Sequence, residues 1–170
     1  MNMKKYISLL IETVLLLSVS SCTNRQHKVI ELAEAHLEQS INDSGKLRII
    51  SVSDPDSVFG TIYFTEQEQK NIMGIMAQVT QSIMKRTNNF ESFNANDAYV
   101  MDLAGRQMRA NSEIRELLLK QTNNQEWTGW KVKVDFQAIN HTGLEYKAER
   151  WYFINKDASQ VIKTLELPLP

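Results

Sequence analysis

The sequence predicts an α+β domain whose helices pack on one face of an antiparallel sheet, with a three-stranded meander at the C-terminus. Two observations carry this. Apolar residues recur at helical spacing early in the chain and through its middle, and they alternate at period two in the last third. The order of segments (helix, strands, two helices, meander) then gives helices and an antiparallel sheet a shared core.

The chain opens with a leader. Lys4 and Lys5 form a short positive region, residues 6–19 are mainly apolar, and Ser20 and Ser21 are small, which is the layout of a cleavable secretory signal over residues 1–21. A spanning helix needs roughly 20 apolar residues. This run is shorter and contains Glu12, whose burial at a bilayer centre costs about 2.5–3.5 kcal/mol. Val19-Ser20-Ser21-Cys22 resembles the lipobox of bacterial lipoproteins. The resemblance spans residues 1–22 and implies a diacylglyceryl group on the Cys22 thiol, cleavage before that residue and acylation of the new amino terminus. Each buried methylene contributes about 0.8 kcal/mol, so two or three chains hold a protein on a bilayer without a spanning helix. Thr23 and Asn24 resemble neither an aspartate-type retention signal nor an acidic export signal. The resemblance therefore implies an outer membrane with the domain facing the periplasm.

Removing 21 of the 170 residues leaves 149, an ordinary length for one domain. Lys4, Lys5 and Glu12 leave with the leader, so 17 basic and 19 acidic residues remain. No basic face suggests nucleic acid. Cys22 is the only cysteine, so its lipidation leaves no thiol for an intramolecular disulfide and core packing must hold the fold.

Residues 22–28 read as a lipidated polar tether, and a single domain as residues 29–170. Val29, Leu32, Ala33, His36, Leu37 and Ile41 form the apolar stripe of a first helix, closing near Asn42-Asp43-Ser44-Gly45, where Gly45 suits a left-handed cap. His36 on that stripe reads as a partly buried histidine, not a metal ligand, because no second ligand sits at i+4. Residues 47–52 and 58–64 are β-rich and flank Ser53-Asp54-Pro55-Asp56, predicting a hairpin or two consecutive strands around a turn. Asp54 and Asp56 open like a calcium loop, but Ser57-Val58-Phe59 lacks the oxygen ligands and glycine such a loop needs.

Thr65-Glu66-Gln67-Glu68 is a capping box starting a second helix, with Ile72, Ile75, Met76, Val79 and Ile83 inward and an end near Asn88-Asn89. A third helix runs from near Asp97 to Lys120, with Val100, Leu103, Ala104, Met108, Ile114, Leu117 and Leu118 inward. Met73, Met76, Met84, Met101 and Met108 read as core filler, or as a pliable groove for an apolar ligand or peptide. Trp130, Val132, Val134, Phe136 and Ala138 alternate with Lys131, Lys133, Asp135 and Gln137, a strand with one wet face. Asn140-His141-Thr142-Gly143 turns the chain, and residues 144–154 return. Apolar parity shifts there from Leu144, Tyr146 and Ala148 to Trp151 and Phe153, predicting a bulge near Glu149-Arg150. Residues 161–167 form the last strand, which Pro168 ends. Asn140-His141-Thr142 also fits a glycosylation sequon and is read as a turn.

This order is similar to the cystatin-like and NTF2-like group of small envelope proteins. The residues that carry the similarity are the passage from Leu37 to Ser57 with Asp54-Pro55-Asp56-Ser57, and VDFQAINHTGLEYKAERWYFINKD at residues 134–157. The helical stretch 66–120 departs from the compact form of that fold. Function lives in sites, not folds, and three classes remain. The first is a lipid-anchored, noncatalytic binding or scaffolding protein that holds an envelope protein or small apolar ligand. The second is an envelope enzyme. For this, nucleophile motifs are missing, His27, His36 and His141 lack metal spacing, and Glu145 with Glu149 reads as a solvated strand face. The third is an inhibitor or immunity-type factor. The expectation is a membrane anchor at Cys22, no catalytic residues, no metal and no cofactor.

Overall fold

The computed structural model describes residues 24–41, 46–92, 94–122 and 125–170. The leader, Cys22 and the helix stop expected at 42–45 lie outside them. Helix α1 covers residues 24–40, so residues 24–28, read above as tether, are already helical. Strands β1 (Arg48–Val52) and β2 (Asp56–Phe59) follow, then helices α2 (Glu66–Arg86) and α3 (Ala98–Leu119). The meander is β3 (Trp127–Ile139), β4 (Glu145–Asn155) and β5 (Val161–Leu169).

All strand pairs are antiparallel. β1 and β2 do not form a hairpin with one another. They lie in succession along the same edge of β3, with Ser51 opposite Asp135 and Ser57 opposite Trp130, while β4 and β5 complete the other side. Thirteen residues of β3 are long enough to pair with both short strands end to end.

The α+β class and the C-terminal meander are as the sequence predicts, but the helices are divided between the two sheet faces. Val29, Ala33, Leu37 and Ile41 of α1 join Trp130, Val132, Val134 and Phe136 of β3 and Tyr152 of β4 in one core cluster. Ile72 and Met76 of α2 and Ala110, Ile114 and Leu117 of α3 join Trp151, Phe153, Leu165 and Leu167 in another. The division accounts for the shift of apolar parity in β4 without a bulge. Pairing with β3 runs unbroken through Glu149 and Arg150, and Trp151 to Ile154 are all buried because both faces are covered. Fully burying a Val or Leu contributes roughly 1.5–3 kcal/mol, so Leu37→Ala alone would cost about 2–5 kcal/mol of α1 docking.

Local chemistry sets the helix ends. The Thr65 hydroxyl accepts from the Glu68 amide at 3.2 Å while the Glu68 carboxylate accepts from the Thr65 amide at 2.7 Å, the reciprocal box the sequence predicts. Past Thr87 the chain takes positive φ at Asn88, Asn89 and Phe90, which ends α2. The Asp97 carboxylate accepts from the Val100 amide and caps α3. On α3, Val100, Leu103, Ile114 and Leu117 are buried as expected and Ala104 is partly so, but Met108 and Leu118 are exposed. Arg106 and Ala110 hold the inward places instead. Two helical residues subtend about 200°, so an inward Arg106 turns Met108 outward. Pro168 does not end β5; it pairs with Ala148 and Leu169 with Lys147. β5 is an edge strand, where a missing amide hydrogen costs no ladder bond.

Candidate functional site

At the end of the sheet where β3 turns into β4, the first half of α3 and the C-terminus close a pocket of about 230 Å³. Its apolar walls are Tyr99 and Leu103 from α3, Leu144 and Tyr146 at the start of β4, and Leu169. Asp102 and Arg106 supply polar groups from α3, joined by Gln137, Glu145 and Lys147 from the strands. The 3.6-residue period brings 99, 102, 103 and 106 to one side of α3.

Arg106 organises the site. It is only 6% exposed, and its guanidinium stacks 3.9 Å from the Tyr146 ring centroid. One nitrogen donates to Glu166 at 2.9 Å and another lies 3.9 Å from Asp102. Glu166 also accepts from Arg150, whose Nε is 2.9 Å away. The Arg150 guanidinium lies over Phe136, whose ring meets that of Tyr146 edge-on at 6.0 Å. Arg106, Tyr146, Phe136, Arg150 and Glu166 thus form a closed ring of contacts linking α3 to β3, β4 and β5.

Burial alone would raise the Glu166 carboxyl pKa, but Arg150 and then Arg106 more than reverse this and hold it below the ordinary value. Burial, aided by Glu166, raises the Tyr146 phenol, so it stays protonated as a hydrogen-bond donor. Asp102 accepts from the Asn140 side chain at 2.9 Å, and Gln137 donates to Glu145. Arg106, Asp102 and Glu145 each have a partner, which leaves a small amphipathic cleft with Lys147 at its rim.

The sequence-predicted candidates do not converge. His27 pairs with Glu31 at 3.4 Å on the exposed start of α1, His36 meets the Tyr152 ring edge-on at 5.6 Å under that helix, and His141 lies exposed in the β3–β4 turn. Among the described residues no three His, Cys, Asp or Glu side chains are placed to hold a metal ion. Glu145 borders the pocket, whereas Glu149 is buried and accepts from Lys133 at 3.0 Å and from the Trp151 indole at 2.7 Å. The expected wet face of β3 is thus partly enclosed. Lys131 is 4% exposed and donates to Glu68 at 2.6 Å, with Asp56 at 3.4 Å. Asn140 acts as a turn residue, its side-chain amide oxygen Oδ1 accepting from Thr142 and Leu144.

The methionines divide. Met76 fills core as expected and Met84 is half-buried, but Met73, Met101 and Met108 are exposed. Sequence reasoning missed Arg106, Arg150 and Glu166. A signal was present: Arg106 sits at the spacing of the α3 stripe, and Glu166 lies between Leu165 and Leu167 in a strand.

Comparison of the chain with known protein families, with curated proteins and with solved structures finds no match.

Proposed function

We propose that this chain is a lipid-anchored envelope protein that binds, without chemical turnover, a small ligand or a partner's apolar side chain in the Arg106 pocket. Pocket chemistry carries the reading. Glu166 balances the Arg106 guanidinium and the Asn140 amide donates to Asp102, so what the pocket offers a visitor is shape, aromatic and aliphatic walls and a few fixed polar groups, the usual composition of a recognition site. The leader's resemblance to the lipobox supports anchoring at Cys22 and a place on the periplasmic side of an outer membrane.

Ligand-observed NMR tests the binding half, with p-cresol, indole and N-acetyl-leucine amide as probes. Leu144→Trp fills the pocket from a half-exposed position. Saturation transfer to at least one probe is expected in the native protein and lost in that variant, with its unfolding transition unchanged. Equal transfer in both proteins would refute the assignment.

A protein partner is favoured by a different observation. Met73, Met101 and Met108 hold flexible thioethers in solvent on the α2–α3 pair, and such surfaces adapt to apolar partner helices.

A further inference from the structure

The direction of α1 determines which end of the domain the anchor meets. Ser40 is bonded to Arg150 and the His36 ring lies against Tyr152. Four helical residues rise about 6 Å and two strand residues about 6.6 Å, so α1 and β4 advance together in opposite chain directions. Residue 29 is then level with Asn155, and residues 24–28 extend roughly 7 Å further. Asn24 is two residues from Cys22, a reach of at most about 7 Å. Lipid on Cys22 would thus hold a bilayer against the end of the sheet where β2 and β4 finish and β3 and β5 begin, marked by Phe59 opposite Trp127 and Ile154 opposite Val161.

That end carries exposed apolar side chains. Phe59 and Ile62 bridge across the Gly60 turn. Ile162 shares a shallow depression with Gly60 and Tyr63. It is the extra residue where Phe153 pairs with Lys163 and Ile154 with Val161, and it is 58% exposed. Leu119, 77% exposed, precedes Lys120, whose carbonyl accepts from the Thr61 hydroxyl at 2.8 Å. Beside them Lys156 pairs with Glu126 at 2.9 Å and lies 5.9 Å from the Trp127 ring, and tryptophan favours the membrane–water interface.

We infer that this end is a membrane-contact surface, in which Phe59, Ile62, Leu119 and Ile162 enter the headgroup–acyl boundary of the bilayer that holds Cys22. The inference rests on the lipid-anchor reading and deepens it. About nine strand residues, roughly 30 Å, separate this surface from the Arg106 pocket, so docking turns the pocket away from the membrane. Single apolar side chains on a surface are ordinary; four at the end addressed by the anchor orient the domain.

The test uses the mature protein purified from membranes, with acylation of Cys22 verified by mass spectrometry, in vesicles of phosphatidylethanolamine and phosphatidylglycerol. Ile162→Cys and Leu119→Cys carry nitroxide labels, and His141→Cys, in the turn at the far end, is the control. Labels at 162 and 119 are expected to gain accessibility to oxygen and lose it to a water-soluble nickel chelate, several-fold relative to 141. Acylated protein whose three labels respond alike would overturn docking while leaving the anchor intact. Shielding of 162 and 119 from both reagents, with a dimer in solution, would replace the bilayer with a second copy. An unacylated Cys22 would overturn the anchor, and docking with it.

Discussion

Replacing Glu166 with glutamine tests the ring of contacts that shapes the pocket. The substitution keeps side-chain size and an acceptor oxygen but removes the charge shared by Arg106 and Arg150, whose nitrogens lie 2.9 Å away. Removing one partner of a buried ion pair costs about 3–5 kcal/mol, and the partial solvent access of Glu166 lowers this. Losing the charge on both sides therefore costs roughly 2–3 kcal/mol. Glu166 is 26% exposed, so solvent screens part of the remaining repulsion between the guanidiniums and little more is added. For a chain of this length a loss of 2–3 kcal/mol lowers the Tm by roughly 4–12 °C. The folded-state pKa is depressed, so the carboxylate's contribution is fully present above its unfolded pKa, about 4.3. It is lost as pH falls through the folded value. Urea unfolding followed by tryptophan fluorescence at pH 7, 4 and 3 should show a wild-type advantage that shrinks at the acid end. An advantage under about 0.5 kcal/mol at pH 7, or one independent of pH, would refute this account of the ring.

Other perturbations probe the scaffold. Thr65→Ala removes one half of the capping box and should cost about 1 kcal/mol. Glu68→Ala should cost more, about 2–3 kcal/mol, because it also leaves the buried Lys131 ammonium with only the more distant and exposed Asp56; equal losses in the two unfolding curves would contradict that pairing. Gly129→Ala would place a Cβ 2.1 Å from the Ile154 carbonyl oxygen, within the paired backbone of β3 and β4. A sharp fall in folded yield is expected, and a native-like unfolding curve would show that the strands part more easily than their register implies.

Where one residue pattern had one cause, the sequence was legible. The capping box at Thr65 and Glu68 and the alternation of Trp130 to Ala138 each specify local geometry; the box and the strand appear as read, although the strand's expected wet face is partly enclosed. Residues 151–154 had two possible causes. A consecutive apolar run in β4 reads equally as one face with a bulge or as two covered faces. Only the position of α1 against Tyr152, with α2 and α3 against Trp151 and Phe153, decides for the second. Residues 47–52 and 58–64 likewise suited a hairpin or two consecutive strands, and the pairing of β1 and β2 with β3 depends on a strand about 80 residues away. The pocket was hidden for a related reason. Arg106, Arg150 and Glu166 lie far apart in the chain and look like surface charges until α3 crosses β5, and a charge buried at a core position is intelligible only with its partner in view.

The central claim is that Cys22 becomes an acylated N-terminus two residues ahead of a helix that belongs to the domain. Intact-mass and peptide mass spectrometry of protein extracted from native membranes tests it most directly. A mature chain beginning at Cys22, with the mass of a diacylglyceryl group on its sulfur, is the expected result. A chain retaining residues 1–21, or one with a free thiol at Cys22, would contradict it.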